Sequence, residues 1–451
     1  MRTYMRASFR QARRAGTLAA ALGAAFAVAA CDLGVFDPGT IEYDDLFDPV
    51  AIDPLVIGAE RNLGRAISNG RPGGAFGVGA MLTDEMVHSG QFVGIRDHSD
   101  AVVVPDDVPE TSTRWAHAQN ARVTAEEAIE IISVVVSDMG GDPSASAPVV
   151  TATLWAGFAN RVLGDTFCSA TLDGGPELPV SAFYERAEQQ FTDVITMGGA
   201  AGTPDLVTAA RAGRAQVRMM LGDWTGAVSD AQEVPMDFVH EVRMSDNSTV
   251  EYNGLYESYL QDNQHSVWGT PFGQYGTDLS GVQTTDGDPR VTFSSRGPTG
   301  DVFIGGDGRR ENWFPEKYQS RNDNLPMARG AEMRLIQAEA ALVGGDIPGA
   351  MSHINVLRDH HGLPHVDAAS TEQAWYVLQR ERGIELWVEG RRLPDMRRWA
   401  VTPGYANFDV VRREASAQPP EEDEVRNVLD NPMGELCLPM NREERNSNPN
   451  L

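Results

Sequence analysis

The stretch from Ala328 to Ala400 constrains the fold more than any other, because its apolar residues return at helical spacing through three successive segments. In the first, Met333, Ile336, Ala340 and Val343 can share one face. The second starts after Gly344-Gly345-Asp346, and Ala350, Ile354 and Leu357 recur in step. The third starts at Ser370-Thr371, where Ser370 is a good N-cap, and runs through Trp375, Leu378, Ile384 and Leu386. Small alanines at inward positions, joined by a Gly-Gly-Asp turn, predict an antiparallel helical pair stacked on further helices.

The same pattern occurs upstream. Ser181–Met197 places Ala187, Phe191 and Val194 inward, and Leu206–Leu221 does so with Leu206, Ala210, Val217 and Met220. Gly213 falls on that inward face, where it admits a close neighbour at some cost in helix propensity. Gly222-Asp223-Trp224 then turns into a helix carrying Ala227 and Ala231. LGDWTGAVSDAQEV resembles VGGDIPGAMSHINVL of the opening stretch: a helix end, Gly-Asp, three residues, Ala and an apolar face. This is tetratricopeptide-like self-similarity at irregular spacing, and such units stack into a scaffold that usually holds another protein. Nearer the N-terminus, Leu55, Ile57, Ala59, Leu63 and Ile67 suit the buried face of a helix beginning near Asp53. The run RPGGAFGVGA reads as a loop. A long helix is expected from Ser112, with Trp115, Ala118, Ala121, Ala125, Ile129 and Ile132 along it.

Between the two similar regions, residues 235–327 are polar, glycine-rich and weakly periodic, too long for a plain connector. They carry Tyr252, Tyr256, Tyr259, Trp268, Phe272, Tyr275, Trp313, Phe314 and Tyr318, interleaved with Asn253, Asp262, Asn263, Gln264, Gln274 and Asp278. Flat rings stack on the apolar faces of pyranose sugars while amides and carboxylates bond the hydroxyls, so this mixture has the chemistry of a sugar site. Any single ring could equally pack the insert's own core. Trp268 and Tyr275, flanked by glycine and polar residues, are the first candidates for ligand contact. Tyr252, Tyr256, Phe272 and Trp313 follow.

Residues 1–15 carry five arginines and no acid, and Gly16 to Ala30 is apolar or small apart from Thr17, ending in Ala29-Ala30-Cys31. A charged region, a short apolar region and a small-residue cleavage site make a secretory leader, too short for a comfortable membrane span. Cys31 directly after Ala-Ala resembles a bacterial lipobox, which predicts acylation of its thiol and a chain anchored by lipid. Residues 31–50, rich in Asp, Gly and Pro, would tether the lipid to the folded part. Removing the leader arginines takes the net charge from −27 to about −32. So acidic a field argues against nucleic acid as a partner. Cys168 and Cys437 remain, and an exported chain could join them as one disulfide or keep two buried thiols.

Asp359-His360-His361 with His365 could suggest a metal, but a solvated helix end with histidine near the negative pole of the dipole is the favoured reading. Neither these residues nor the cysteines predict a metal or other cofactor. Glu381, Arg382, Glu385, Glu389, Arg391, Arg392, Asp395, Arg397 and Arg398 form a dense charge run, better suited to ion pairing along or across helices than to substrate. No nucleophile elbow, zinc-protease, phosphate-loop or dinucleotide motif is present, and among 64 acids no catalytic carboxylate pair can be singled out.

The order of motifs resembles the SusD/RagB family of outer-membrane nutrient-binding lipoproteins. It is carried by RGAEMRLIQAEA, GDIPGAMSHINVLR and ERGIELWVEGRRLPDMRRW, followed by Leu438-Pro439-Met440, Glu443 or Glu444, and Asn448-Pro449-Asn450-Leu451. Asp288-Pro289-Arg290 and Lys317-Tyr318 resemble further structural landmarks of that family. The resemblance implies a mainly α fold, a tetratricopeptide-like helical-repeat scaffold with a long irregular, loop-rich insert. The features above divide the chain into a leader (1–30), a tether (31–50), an N-terminal helical region (51–234), the insert as candidate ligand surface (235–327) and a C-terminal helical region with the closing signature (328–451). The resemblance further implies capture of an oligosaccharide or peptide at the outer membrane and delivery to a SusC-like TonB-dependent transporter, without catalysis. A protein-binding scaffold and, more remotely, a secreted glycan hydrolase are the alternatives.

Overall fold

The computed structural model describes residues 43–70, 73–99, 109–248, 250–258, 264–401, 411–414, 424–427 and 436–451. The leader, Cys31, most of the tether, Tyr259, Asp262 and Asn263 lie outside the described residues. Tyr43–Phe47 is a short 3-10 turn, and Phe47–Leu451 form one compact unit. Its N-terminal helices are α1 (Ile52–Ser68), α2 (Gly74–Leu82), α3 (Val93–Ser99), α4 (Pro109–Asp138), α5 (Ala147–Thr166), α6 (Val180–Met197), α7 (Pro204–Leu221) and α8 (Trp224–Gln232). After the insert come α9 (Gly330–Val343), α10 (Ile347–His360), α11 (Thr371–Glu385), α12 (Arg392–Ala400) and α13 (Arg442–Ser447).

Short connections make each helix double back on the one before it, so α4 packs on α5, α5 on α6, α6 on α7 and α7 on α8. Helix α9 packs on α7 and α8 as well as on α10 and α11, which brings the two similar regions together across the insert. The fold is mainly α, a tetratricopeptide-like scaffold, as the periodicity predicts. The shared Gly-Asp turns explain the sequence likeness. Gly222 and Gly345 both adopt positive φ (79° and 80°), a conformation that costs glycine little. Asp223 and Asp346 each cap the next helix by accepting from the N–H of Gly226 and Gly349 at 2.9 Å. Ser370 caps α11 through the N–H of Gln373 at 3.2 Å.

Gly213 serves close approach. A Cβ there would lie 2.5 Å from Phe191 Cζ, and one at Gly157 would lie 2.7 Å from Phe191 Cε1. The ring of Phe191 on α6 is thus gripped between glycines of α5 and α7, and it is fully buried.

Several expectations are corrected. Ile57 is 46% exposed and Val343 45%, because each falls off the apolar stripe formed by Ala59, Leu63 and Ile67, or by Met333 and Ile336. The run read as a loop contains α2, buried along its whole length; tertiary burial outweighs the poor helix propensity of its glycines. The third predicted helix is two. Helix α11 ends at Glu385, and positive φ at Val388 (50°) and Gly390 (71°) turns the chain into α12.

The charge run is a buried network between helices rather than a surface ladder. Glu332 on α9 accepts from Arg382 (3.0 Å) and Arg391 (3.1 Å), and Arg391 also bonds Asp165 on α5 at 2.5 Å. Asp395 receives Arg382 and Arg398, and Arg398 reaches Glu339 at 2.8 Å. Arg392 pairs with Asp84 at 2.7 Å. Arg290 bonds Glu381 at 2.9 Å, and Lys317 bonds Glu389 at 2.6 Å, so both landmark residues tie the insert to the scaffold. His361 lies 2.9 Å from Glu385, and the exposed His365 pairs with Asp359 at 2.7 Å.

Cys168, just past α5, is joined to Cys437 by a disulfide across 269 residues. Beside it the Cys168 N–H donates to Leu438 O (2.9 Å) and the Leu438 N–H to Thr166 O (2.8 Å).

Candidate functional site

The insert leaves the scaffold after α8 and returns before α9 through one antiparallel ladder, β4 (Val239–Val242) on β9 (Leu325–Arg329). Beyond that base lies a three-stranded sheet in which β6 (Gly276–Asp278) runs parallel to β7 (Asp288–Ser294), and β7 antiparallel to β8 (Phe314–Pro315). In β7, Val291 and Phe293 are buried while Thr292 and Ser294 are less so, the alternation of a strand with one covered face. The weakly periodic insert thus contains paired strands where its sequence predicts an irregular segment. A second short ladder pairs β1 (Val87–His88) with β5 (His265–Ser266), and fixes the insert against the region before α3. There the rings of His88 and His265, both buried, meet with Nδ1 atoms 3.3 Å apart.

At the outer side of the three-stranded sheet is an open cavity of about 620 Å³. One wall is aromatic. Phe314, 8% exposed, takes Phe303 edge-on with centroids 4.8 Å apart. Gly297 allows this approach, since a Cβ there would meet Phe303 Cζ at 2.9 Å. The lining also carries the polar Ser280, Ser294, Arg296 and Glu316, with Ser294 the cross-strand partner of Phe314. Ser294 Oγ donates to Glu316 at 2.5 Å, and Ser280 Oγ donates to Arg296 O at 3.1 Å. The guanidinium of Arg296 makes no hydrogen bond or ion pair among the described residues. Asp278 fixes the loop that bears these groups, accepting from the N–H groups of Ser280 (2.8 Å) and Ser295 (3.2 Å) and from Ser295 Oγ. A ring face beside a carboxylate, hydroxyls and a guanidinium can stack on an apolar surface and bond hydroxyl groups around its edge.

None of the six nominated aromatics lines this cavity. Phe272 is corrected outright: it is 1% exposed and lies against Trp387 (6.2 Å, 14°), because its apolar ring completes the contact between insert and scaffold. Trp313 is half-buried, stacked on Phe293 at 5.4 Å, with its indole N–H donated to Glu311 at 2.9 Å. Tyr256 packs on the main core, and Tyr252 lies under Arg321 at 5.7 Å. Trp268 is half-buried. Tyr275 stands apart from the cavity, with Arg380 5.1 Å over its ring; burial raises its hydroxyl pKa, helped by the neighbouring Tyr376. Tyr376 is 57% exposed. Phe303 escaped the reading because single glycines and aspartates around it mask any pattern. A signal existed in Val302-Phe303-Ile304, an apolar triplet in a polar loop.

Among the described residues no three His, Cys, Asp or Glu side chains converge on a metal position, and no helix is long and apolar enough to cross a membrane.

The architecture defines a helical-repeat protein that carries its open cavity on a loop-rich insert. Residues 231–451 match the model of the SusD family. The fold agrees over more of the chain. A SusD superfamily protein from Bacteroides vulgatus superposes with a TM-score of 0.61 at 14% identity, covering 89% of this chain and 97% of that one. A SusD-like protein from Bacteroides fragilis gives 0.62 at 15% identity, with coverage of 91% and 98%. A SusD-like carbohydrate binding protein from the same species gives 0.62 at 15%, with coverage of 90% and 100%. No curated protein matches the chain.

Proposed function

We propose that this protein is a surface lipoprotein, anchored through Cys31, that captures an oligosaccharide in the insert cavity and delivers it to a SusC-like TonB-dependent outer-membrane transporter. The observation that carries this reading is an open cavity lined together by the Phe303–Phe314 ring pair, the Ser294–Glu316 pair and Arg296. The carbohydrate-binding relative of the same fold supports it. Capture is non-covalent, so the polar groups orient the ligand and the rings supply contact area. Isothermal titration against a glycan panel tests the proposal. Phe303→Ala should weaken the best ligand about tenfold or more, a loss of about 1.4 kcal/mol or more. Absence of any sugar or peptide binding, with transporter co-purification intact, would leave a protein-binding scaffold. Turnover of a bound oligosaccharide would overturn the non-catalytic reading. The exposed Tyr376 beside Tyr275 favours a second contact surface, which Tyr376→Ala tests against the same panel.

A further inference from the structure

A second cavity, of about 800 Å³, lies in the scaffold between α4, α5 and α6, far in sequence from the insert. Its lining includes the apolar Ile129, Val149, Ala182 and Met197. Its sides are two helical stripes. Helix α4 contributes Glu126 and Glu130, four residues apart, and α6 contributes Glu185 and Asp193, eight apart; residues at such spacing share a helix face.

These carboxylates are not equivalent. Glu126 is satisfied within the fold: it accepts from Arg186 (2.6 Å), Arg122 (2.8 Å), Asn160 (3.0 Å) and Gln190 (3.0 Å). Arg186, the cation in the lining, is thereby engaged. Glu130 and Glu185 have no cation partner among the described residues, and Asp193 accepts from the neutral amide of Gln189 at 2.8 Å. Three negative charges therefore flank an apolar trough with no cation left to balance them. Like charges across a groove repel, and a cation between them relieves that repulsion. From Glu185 to Asp193 the stripe spans about 12 Å at the helical rise, the length of about four residues of extended chain.

We propose that this groove seats a short basic segment of a partner protein, an arginine or lysine side chain entering between Glu130 on one side and Glu185 and Asp193 on the other while flanking apolar side chains rest on Ile129, Val149 and Met197. Charge complementarity names the occupant: an acidic segment would be repelled, and a purely apolar one would leave the carboxylates unanswered. The inference does not depend on what the insert binds.

The test uses the full chain and a fluorescent extended peptide alternating leucine with arginine, beside copies with citrulline or glutamate in place of arginine. The arginine peptide should bind and the other two should not. Glu130→Gln/Glu185→Gln/Asp193→Asn should weaken it about tenfold or more, against less than about twofold for Glu233→Gln/Asp237→Asn/Asp246→Asn, the same charge change on exposed acids elsewhere. Ala182→Trp, which fills the trough without altering charge, should also weaken binding about tenfold. Equal losses in the two triple variants would reduce the effect to the general field of an acidic protein and overturn the proposal, as would binding of the citrulline peptide. Displacement of the peptide by calcium alone would reassign the carboxylates to a metal. Dimerisation abolished by Ala182→Trp would make a second copy of this chain the occupant, and either result overturns the proposal. Folding of each variant is checked by its thermal midpoint, and binding of the insert's ligand should be unchanged.

Discussion

The helical scaffold and the insert solve the same problem by different means. In the scaffold, apolar stripes and a buried ion network bind each helix to several others, so most side chains are held by the ensemble. In the insert, short ladders and individual hydrogen bonds fix loops one at a time, as Asp278 does for the segment bearing Ser280 and Ser295. The difference teaches where variation is tolerated. A helix cannot change without disturbing its neighbours, whereas a loop closed by the β4–β9 base can change its tip alone.

If that contrast is right, substitutions should separate stability from binding. The largest effect is expected at Glu332, since Glu332→Ala leaves Arg382 and Arg391 buried with less compensating charge. The loss should be about 3–5 kcal/mol by chemical denaturation, with ligand affinity at low temperature retained. Next is Gly213→Val, which drives into the Phe191 ring and should cost about 1–3 kcal/mol, again sparing affinity. A scaffold substitution that abolished binding while leaving stability intact would break the comparison.

A third prediction concerns pH. Glu85 is buried and accepts the Val388 N–H at 2.7 Å; burial pushes its carboxyl up to about 8. The folded state therefore keeps this proton at pH values where the unfolded chain releases it. The contribution is fully present below about 4.5 and is lost as pH rises through 8. Glu85→Gln, which holds the neutral form, should flatten the decline in melting temperature on that side and exceed the parent at pH 8. The acid side is governed by groups such as His88 and His240, which burial lowers to about 3 and 4. Their contribution is complete above 6.5 and falls away as pH drops through those values, and Glu85→Gln should leave that limb alone. An unchanged alkaline limb would show that Glu85 is ionised in the fold.

The smallest effect on stability is expected at the cavity. Phe303→Ala removes a half-buried ring in the insert and should cost no more than about 1 kcal/mol, within the ordinary range for partly exposed sites. Its effect on affinity should be the largest of the set. Loss of folding in this variant would show that the insert shares the scaffold's cooperativity.

Legibility followed the same division. The helices of the scaffold were readable because a period of 3.6 and Gly-Asp caps are local signals, and Gly213 was readable because only close approach explains a glycine on an inward face. Helix α2 was hidden by the glycines that let it be buried, and α12 by a turn at Val388 that no sequence rule marks. In the insert, strands of two to seven residues pair with partners many positions away, as β1 does with β5, and such pairing leaves little local trace. Aromatic content marked the segment in which a cavity lined by Phe303 and Phe314 lies. Which rings would be spent on packing, as Phe272 is against Trp387, depended on three-dimensional neighbours.

The Cys168–Cys437 bridge bears on how the protein is made. Because its halves lie 269 positions apart in sequence, it can close only after the insert and helices α6 to α12 have been synthesised. Until then the Cys168 thiol lacks its partner and is open to mispairing or capture by an oxidoreductase. A chain cut short before Cys437 keeps that thiol, so the thiol marks an unfinished molecule and the bridge a finished one.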